Sequence, residues 1–269
     1  MNISTRRPSA VNLISRSADG GVAWLGYLFL IIPSLIVIPM SFSAGDELTF
    51  PPKSYSLHLY EQYFTTSTWM EATWVSFKVA IFAMLFSLIF GVLGAYGINR
   101  SSFRGRKFLA VTLLSPMFVP NIVVALALYL YFSRFGLTGT TLGLILAHII
   151  ITIPFVMVTC FAGLKQIDIN VEKASAIMGA GRLYTLIHVT LPILRPSIIS
   201  AGLFSFLISF DEVVISYFLS GVLTQTLPVK MYSSIHWEIS PVLAAVSTLL
   251  TLISSAICLI VAVTKGISK

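Results

Sequence analysis

Long apolar stretches separated by short polar ones dominate the chain. Six runs, at about residues 22–42, 73–98, 108–132, 140–162, 196–219 and 241–264, carry few charged side chains. Each is long enough to cross roughly 30 Å of hydrocarbon at about 1.5 Å of rise per residue. They are apolar all round rather than alternating, which argues against a transmembrane barrel. A helix satisfies its own backbone polar groups inside lipid, where an open strand edge cannot. The pattern therefore predicts an all-α polytopic membrane protein with six transmembrane helices. A Ser-rich leader carrying Arg6, Arg7 and Arg16 precedes the first run. A cleaved signal peptide, cut near Ser41-Phe42-Ser43, is the alternative reading of that run. Signal h-regions span about 7–15 residues, and this run is nearer twenty, so a retained span is expected.

The basic residues set the orientation, because cytoplasmic loops concentrate Lys and Arg. With six spans, one side receives Arg6, Arg7, Arg16, Arg100, Arg104, Arg106, Lys107, Lys165, Lys173, Arg182, Arg195, Lys265 and Lys269. The other side receives Lys53, Arg134 and Lys230, and its first loop holds Asp46, Glu47, Glu61 and Glu71. Both termini are therefore expected in the cytoplasm. Residues 1–21 form a cytoplasmic segment, 22–264 a membrane domain with a cytoplasmic loop at about 165–195, and 265–269 a cytoplasmic tail. No internal repeat and no long linker marks a second domain.

Composition agrees. The chain is 57% hydrophobic and 10% charged, against about 25% charged in a soluble domain. Its net charge of +7 sits between apolar runs rather than on one solvated face, which favours membrane lipid over nucleic acid as its partner. Cys160 and Cys258 lie inside apolar runs and read as two small buried thiols.

The inside loop from Gln166 to Pro192 is too polar to span, yet it is regular. Val171, Ala174, Ile177 and Met178 follow helical spacing and form one apolar face. Gly179-Ala180-Gly181 reads as a helix stop and turn. Leu183, Leu186, Ile187 and Leu191 resume helical spacing, and Pro192 and Pro196 punctuate the start of the fifth span. Two short helices joined by a glycine turn make a projecting knob. Its apolar face suits either a docking partner or the lipid interface.

The loop resembles the cytoplasmic signature of permease subunits of bacterial binding-protein-dependent ABC importers: Glu-Ala-Ala, three residues, Gly, nine residues, Ile-x-Leu-Pro. Gly179, Ala180, Val189, Leu191 and Pro192 match at the right spacing, and Ala174 and Ser175 stand where the two alanines belong. Lys173 occupies the expected Glu position, with Glu172 one residue earlier. The resemblance extends over nearly the whole chain after residue 20, and it is similar to the spermidine/putrescine branch. Phe50-Pro-Pro-Lys-Ser-Tyr-Ser-Leu, Asn99-Arg100-Ser-Ser-Phe-Arg-Gly-Arg106, Ser209-Phe210-Asp211-Glu212, Thr226-Leu-Pro-Val229 and Ile239-Ser-Pro-Val242 carry it.

The resemblance implies the fold of a type I ABC importer permease in the bacterial cytoplasmic (inner) membrane. In that family the loop is a coupling helix inserted into a groove of the ATPase subunit. Carried over, this role falls around Ala174–Leu183, on Glu172, Ala174, Ser175, Gly179, Ala180, Gly181 and Leu183. The implied partners are a cytoplasmic ABC ATPase dimer, a second and non-identical permease, and an extracytoplasmic substrate-binding protein. ATP and Mg would be held by the ATPase, with no cofactor in this chain. The implied cargo is a polyamine or related cation, and related branches move opines, phosphonates and iron.

Charges inside the spans are the remaining candidates. Asp211 and Glu212 interrupt the fifth run, and Lys78 lies in the second at similar depth. Intramembrane ionisable residues normally face a bundle interior or a watery cavity. Three readings stay open: Lys78 pairs with one of the acids, an acid lines the route of a cationic solute, or Lys78 snorkels to the interface. Pro116, Pro120 and Pro154 are expected to kink the third and fourth spans, and His148, one or two turns from Pro154, to be a helix-bonding histidine.

No G-x-x-x-x-G-K-[ST] loop, His-Glu-x-x-His, Cys-x-x-Cys or G-x-S-x-G pattern occurs. The chain is therefore expected to be no enzyme, with no catalytic or metal residues and its energy supplied by a partner. An ion-gradient-driven secondary transporter is the alternative class. It calls for intramembrane acids and bases, and Asp211, Glu212 and Lys78 are the candidates.

Overall fold

The computed structural model describes the backbone of residues 10–45, 48–237 and 240–267, and side chains within those segments from residue 24 to residue 256, Ser67 excepted. The helices are α1 (Ala10–Met40), α2 (His58–Thr65), α3 (Ser67–Arg100), α4 (Arg106–Leu114), α5 (Asn121–Ser133) and α6 (Thr141–Gln166). They continue as α7 (Ile169–Ile177), α8 (Arg182–Thr185), α9 (Leu191–Phe210), α10 (Val214–Leu219), α11 (Leu227–His236) and α12 (Val242–Ile267). Among the described residues there is no strand beyond an isolated bridge between Ser43 and Tyr55. The all-α expectation therefore stands.

Among the described residues, three continuous helices are long and apolar enough to cross a membrane: Thr68–Arg100, Thr141–Gln166 and Arg182–Phe210. Within α1 and α12 the stretches Trp24–Met40 and Val242–Ala256 are apolar as well, and they lie where the first and sixth runs were expected. The third run is not one straight helix. Its halves, Arg106–Phe118 and Asn121–Ser133, meet at 108°. The cause is local: Ser115–Phe118 tightens into a 3-10 turn, Val119 turns extended, and Pro120 starts afresh at ψ 133°. A residue before proline is pushed out of the helical region. With this pair counted as one bent span, the arrangement is compatible with six crossings.

The fifth run also departs from expectation. Its helix starts at Arg182, before Pro192 and Pro196, and stops at Phe210, before Asp211. Pro192 lacks the N–H that would bond the His188 carbonyl, and its ring crowds that carbonyl. Leu186–Thr190 widens into a π turn, in which the Leu191 N–H reaches Leu186 O. The extra residue in that turn absorbs the proline without ending the helix. Pro154 likewise leaves α6 continuous. At the other end, α1 already begins at Ala10, within the expected N-terminal segment.

Two compact units form, one from Ser67 to Ser233 and one from the chain before and after it. In the latter, α12 packs on α1 and α2, and Ser41 Oγ bonds the Tyr60 hydroxyl at 2.6 Å. In the former, α3, α6 and α9 pack on one another. One apolar cluster gathers Val79, Ala125, Leu144, Ala147, Ile151 and Ile215. A second gathers Val92, Val156, Cys160, Leu164, Leu194 and Ala201. Between them Ser87 and Thr152 hydrogen-bond at 2.6 Å across α3 and α6. Such polar pairs and small residues hold helices together where lipid removes the hydrophobic drive.

Gly91 lets α3 and α6 approach: a Cβ there would meet Val156 Cγ1 at 2.6 Å. Gly91→Leu is therefore expected to cost about 1–3 kcal/mol through overpacking. Earlier loss of monodisperse protein on heating in detergent would register it. An unshifted heating curve would show that the two helices are free to separate.

Candidate functional site

Two places in the Ser67–Ser233 unit combine polar chemistry with broken regular structure. The first is the turn after α7. Asp168 starts that helix, its side chain accepting from Asn170 N–H at 2.9 Å. The helix ends in a Schellman motif: Ala180 N–H bonds Ser175 O at 3.1 Å and Gly179 N–H bonds Ala176 O at 3.0 Å. Gly179 takes φ 88°, a left-handed value natural to glycine. Met178 caps α7 at a tight reversal, and α8 starts after Gly181.

The reversal presents apolar side chains outward. Ile177 is 87% exposed, Met178 82% and Leu183 69%. Ala174 is also exposed, and Ser175 is buried, bonded to Thr185 Oγ1 at 3.0 Å. That bond staples α7 to α8 across the turn. An open groove of about 990 Å³ runs between Val171, Ala174, Met178, Gly179, Tyr184 and His188. Exposed clusters of large apolar side chains of this kind mark contact sites for protein or for membrane.

Glu172 faces the opposite way. Its carboxylate accepts from Arg100 Nε at 3.1 Å and from Thr190 Oγ1 at 3.1 Å. The Arg100 and Glu172 side chains are 14% and 10% exposed. Arg100 also donates to Leu164 O at 3.4 Å. One guanidinium, at the last residue of α3, therefore ties α3, the end of α6 and α7 together. Lys173, at the position where the family signature has Glu, points to solvent.

The second place is the elbow between α9 and α10. Asp211 closes α9, its N–H on Leu207 O at 3.0 Å, and the helix does not resume until Val214. Asp211 and Glu212 therefore sit in a break rather than along a helix. Glu212 is 8% exposed. One of its oxygens accepts from Ile215 N–H at 2.8 Å, within the first turn of α10, and the other from Asn121 Nδ2 at 3.3 Å. Asn121 is the first residue of α5, beside the Pro120 bend. Glu212 thus joins the two breaks to each other.

Asp211 is exposed, and its carboxylate makes no hydrogen bond or ion pair with the described residues. Lys78 is exposed on α3 and lies within ion-pairing distance of neither acid. His148, 1% exposed, bonds Ser209 Oγ through Nδ1 at 2.8 Å and Ser216 Oγ through Nε2 at 2.9 Å.

Sequence reasoning singled out the turn, the acids and a helix-bonding role for His148. It missed Arg100, Thr190 and Asn121 as partners of the two glutamates. Arg100 meets Glu172 across 72 positions, and Asn121 meets Glu212 across 91. Nothing local marks such a pair. Ser209 and Ser216, on either side of a charged interruption in an apolar run, were the available hint.

A model of the binding-protein-dependent transport system inner membrane component family matches residues 87–269. The chain is 33% identical over 231 residues to the spermidine/putrescine transport system permease protein PotC of Haemophilus influenzae, covering 86% of this chain and 90% of that one. It is 31% identical over 246 residues to PotC of Escherichia coli, covering 90% and 91%. The crystal structure of a bacterial ABC transporter involved in the import of the acidic polysaccharide alginate has the same fold. One of its chains superposes with a TM-score of 0.76 at 17% identity, covering 97% of this chain and 99% of that one. The family match takes in the α7 turn and the elbow alike, and the agreement runs through sequence and fold together. On these grounds the chain belongs to the family of binding-protein-dependent transport system inner membrane components, multi-pass proteins of the inner membrane that transport rather than catalyse.

Proposed function

We propose that this chain is the permease subunit of an ATP-driven importer for polyamines or closely related cations. The observation that carries the reading is the α7 turn. A glycine-closed reversal holds Ile177, Met178 and Leu183 out as a unit, and the Arg100 brace connects it to two spanning helices. A rigid knob on a rigid lever suits a partner that pushes on it. In this reading the partner is a cytoplasmic ABC ATPase dimer that binds ATP and Mg. A second, non-identical permease completes the pathway, and an extracytoplasmic binding protein delivers the solute. Both termini and the α7 turn face the cytoplasm, following the excess of Lys and Arg in those segments.

The polyamine assignment takes its support from the relatives and from Asp211. A carboxylate left without a partner at a helix break suits a solute bearing several ammonium groups. In proteoliposomes holding the assembled importer, ATP-dependent uptake of spermidine or putrescine is expected. Asp211→Asn should lower it about tenfold or more, the range for one hydrogen bond to a charged group, with the ATPase subunits still copurifying. Uptake of an anionic solute alone would overturn the cargo. Uptake that persists on an ion gradient without ATP would overturn the drive. Labelling of residues 170–190 from outside intact cells would overturn the placement of the knob.

A further inference from the structure

We propose that His148 is a positioning residue for Asp211, a two-ended clasp that sets the angle of the α9–α10 elbow. The transport role of this clasp rests on the pathway reading of Asp211 given above. The α9 helix ends at Phe210 and α10 begins at Val214. The three residues between them carry two soft dihedrals each, so the angle of the elbow is set by what holds its two arms. One buried imidazole reaches both sides of that break, Ser209 on α9 at 2.8 Å and Ser216 on α10 at 2.9 Å. Imidazole carries its two hydrogen-bonding atoms on a rigid ring, so it holds the two serines at a set separation.

The clasp is anchored. His148 lies on α6 among Leu144, Ala147 and Ile151, all buried in one apolar cluster with Ile215. Its carbonyl accepts from Thr152 Oγ1 at 2.6 Å, and Thr152 in turn bonds Ser87 on α3. Glu212 supplies a separate brace, holding the first turn of α10 to α5. That brace leaves α9 untouched, and among the described residues His148 is the side chain that hydrogen-bonds to both the end of α9 and the start of α10, alongside the packing of both on α6. Asp211 stands between the two braces and is exposed. Its carboxylate is therefore aimed by groups that do not face the route themselves.

A purely fold-holding role would cost insertion and assembly when His148 is lost, and the clasp makes a different expectation. With His148→Leu, both serine hydroxyls can turn back to carbonyls of their own helices. The bundle then keeps its apolar packing, and the chain should still insert and assemble. The elbow, however, loses its set angle.

The test uses the assembled importer in proteoliposomes, in a background carrying Cys160→Ala and Cys258→Ala. Asp211→Cys is labelled there with 2-aminoethyl methanethiosulfonate, with His148 retained, replaced by Leu, or replaced by Gln. Glutamine keeps a donor and an acceptor at similar reach. We expect His148→Leu to change the labelling rate by about threefold or more, the scale of one or two interhelical hydrogen bonds, and His148→Gln to restore it. With Asp211 retained, His148→Leu should raise KM for spermidine by about three- to tenfold. Maximal rate and substrate-free ATPase activity should stay near the parent values, and His148→Gln should recover most of the loss.

Unchanged labelling in His148→Leu would overturn the clasp, whatever the solute. Falls in maximal rate and in recovered complex as large as the rise in KM would reduce His148 to a packing residue and overturn the proposal. Changed labelling together with normal spermidine uptake by Asp211→Asn would instead refute the pathway reading. In that case the elbow geometry survives and its part in transport does not.

Discussion

Gly179→Trp is expected to abolish ATP-driven uptake while leaving the chain inserted and folded. The reasons lie in three properties of one position. Gly179 adopts φ 88°, and a Cβ added there would meet nothing within 4 Å. The chain itself therefore has room for a side chain. The left-handed backbone costs a non-glycine residue about 1–2 kcal/mol, enough to loosen the turn and not enough to unfold a spanning bundle. The position also lies on the rim of the groove between Val171, Ala174 and Tyr184, where an indole would stand in the path of any docking surface.

Loss of one interface hot spot costs about 2 kcal/mol or more, so coupled uptake should fall at least about thirtyfold. Gly179→Asn separates the two causes. Asparagine tolerates the left-handed region, so this variant keeps the reversal and adds only a small polar group. It should retain a clear fraction of uptake. Uptake by Gly179→Trp near the parent rate, with ATP hydrolysis still required, would remove the turn from the coupling path.

The Arg100–Glu172 pair should give the second large effect. Among the described residues, Glu172→Ala leaves the Arg100 guanidinium with Asn99 Oδ1 and Leu164 O as acceptors, and it removes the carboxylate to which Thr190 Oγ1 donates. Breaking a fully buried pair costs about 3–5 kcal/mol. This pair retains some solvent, at 14% and 10% side-chain exposure, so about 2 kcal/mol is the fitting scale. The consequence is local: α7 comes loose from α3 and α6 while the spans remain packed.

Limited proteolysis within residues 168–185 should accelerate, and uptake should fall more than ATPase activity. The exchange Arg100→Glu with Glu172→Arg should recover part of both. Lys173→Ala is the control, because that side chain points to solvent and surface changes stay within about 0.5 kcal/mol. Equal sensitivity of Glu172 and Lys173 would refute the brace. The contrast also accounts for a departure from the family signature. Lys stands where the signature has Glu, and the acid one residue earlier is turned inward as a strut.

Much of the fold was legible because lipid makes sequence patterns blunt. Long apolar runs must become helices, since no other element satisfies its backbone there. The helix Thr141–Gln166 followed directly, even through Pro154. The α7 turn was legible for a similar reason. Gly179 follows an apolar helical face and matches the residue type that a left-handed cap requires. The kink expected at Pro116 and Pro120 is present, but the apolar pattern gives neither the size of a bend nor the point where a helix stops. Around Pro116 and Pro120 the run stays apolar while the backbone turns through 108°. Across Asp211 the run resumes while the helix stops.

The sequence by itself determined the helical class, the membrane setting, the glycine reversal and the residues offered at it, because these depend on spacing and on local backbone chemistry. Only the tertiary structure decided which of two neighbouring acids is spent on holding the elbow and which is left exposed. Glu212 meets Asn121, and Glu172 meets Arg100, through contacts between segments far apart in the chain. Those contacts exist because packing brings α3, α5, α6, α7 and α9 to common points, and no local pattern encodes where distant helices cross.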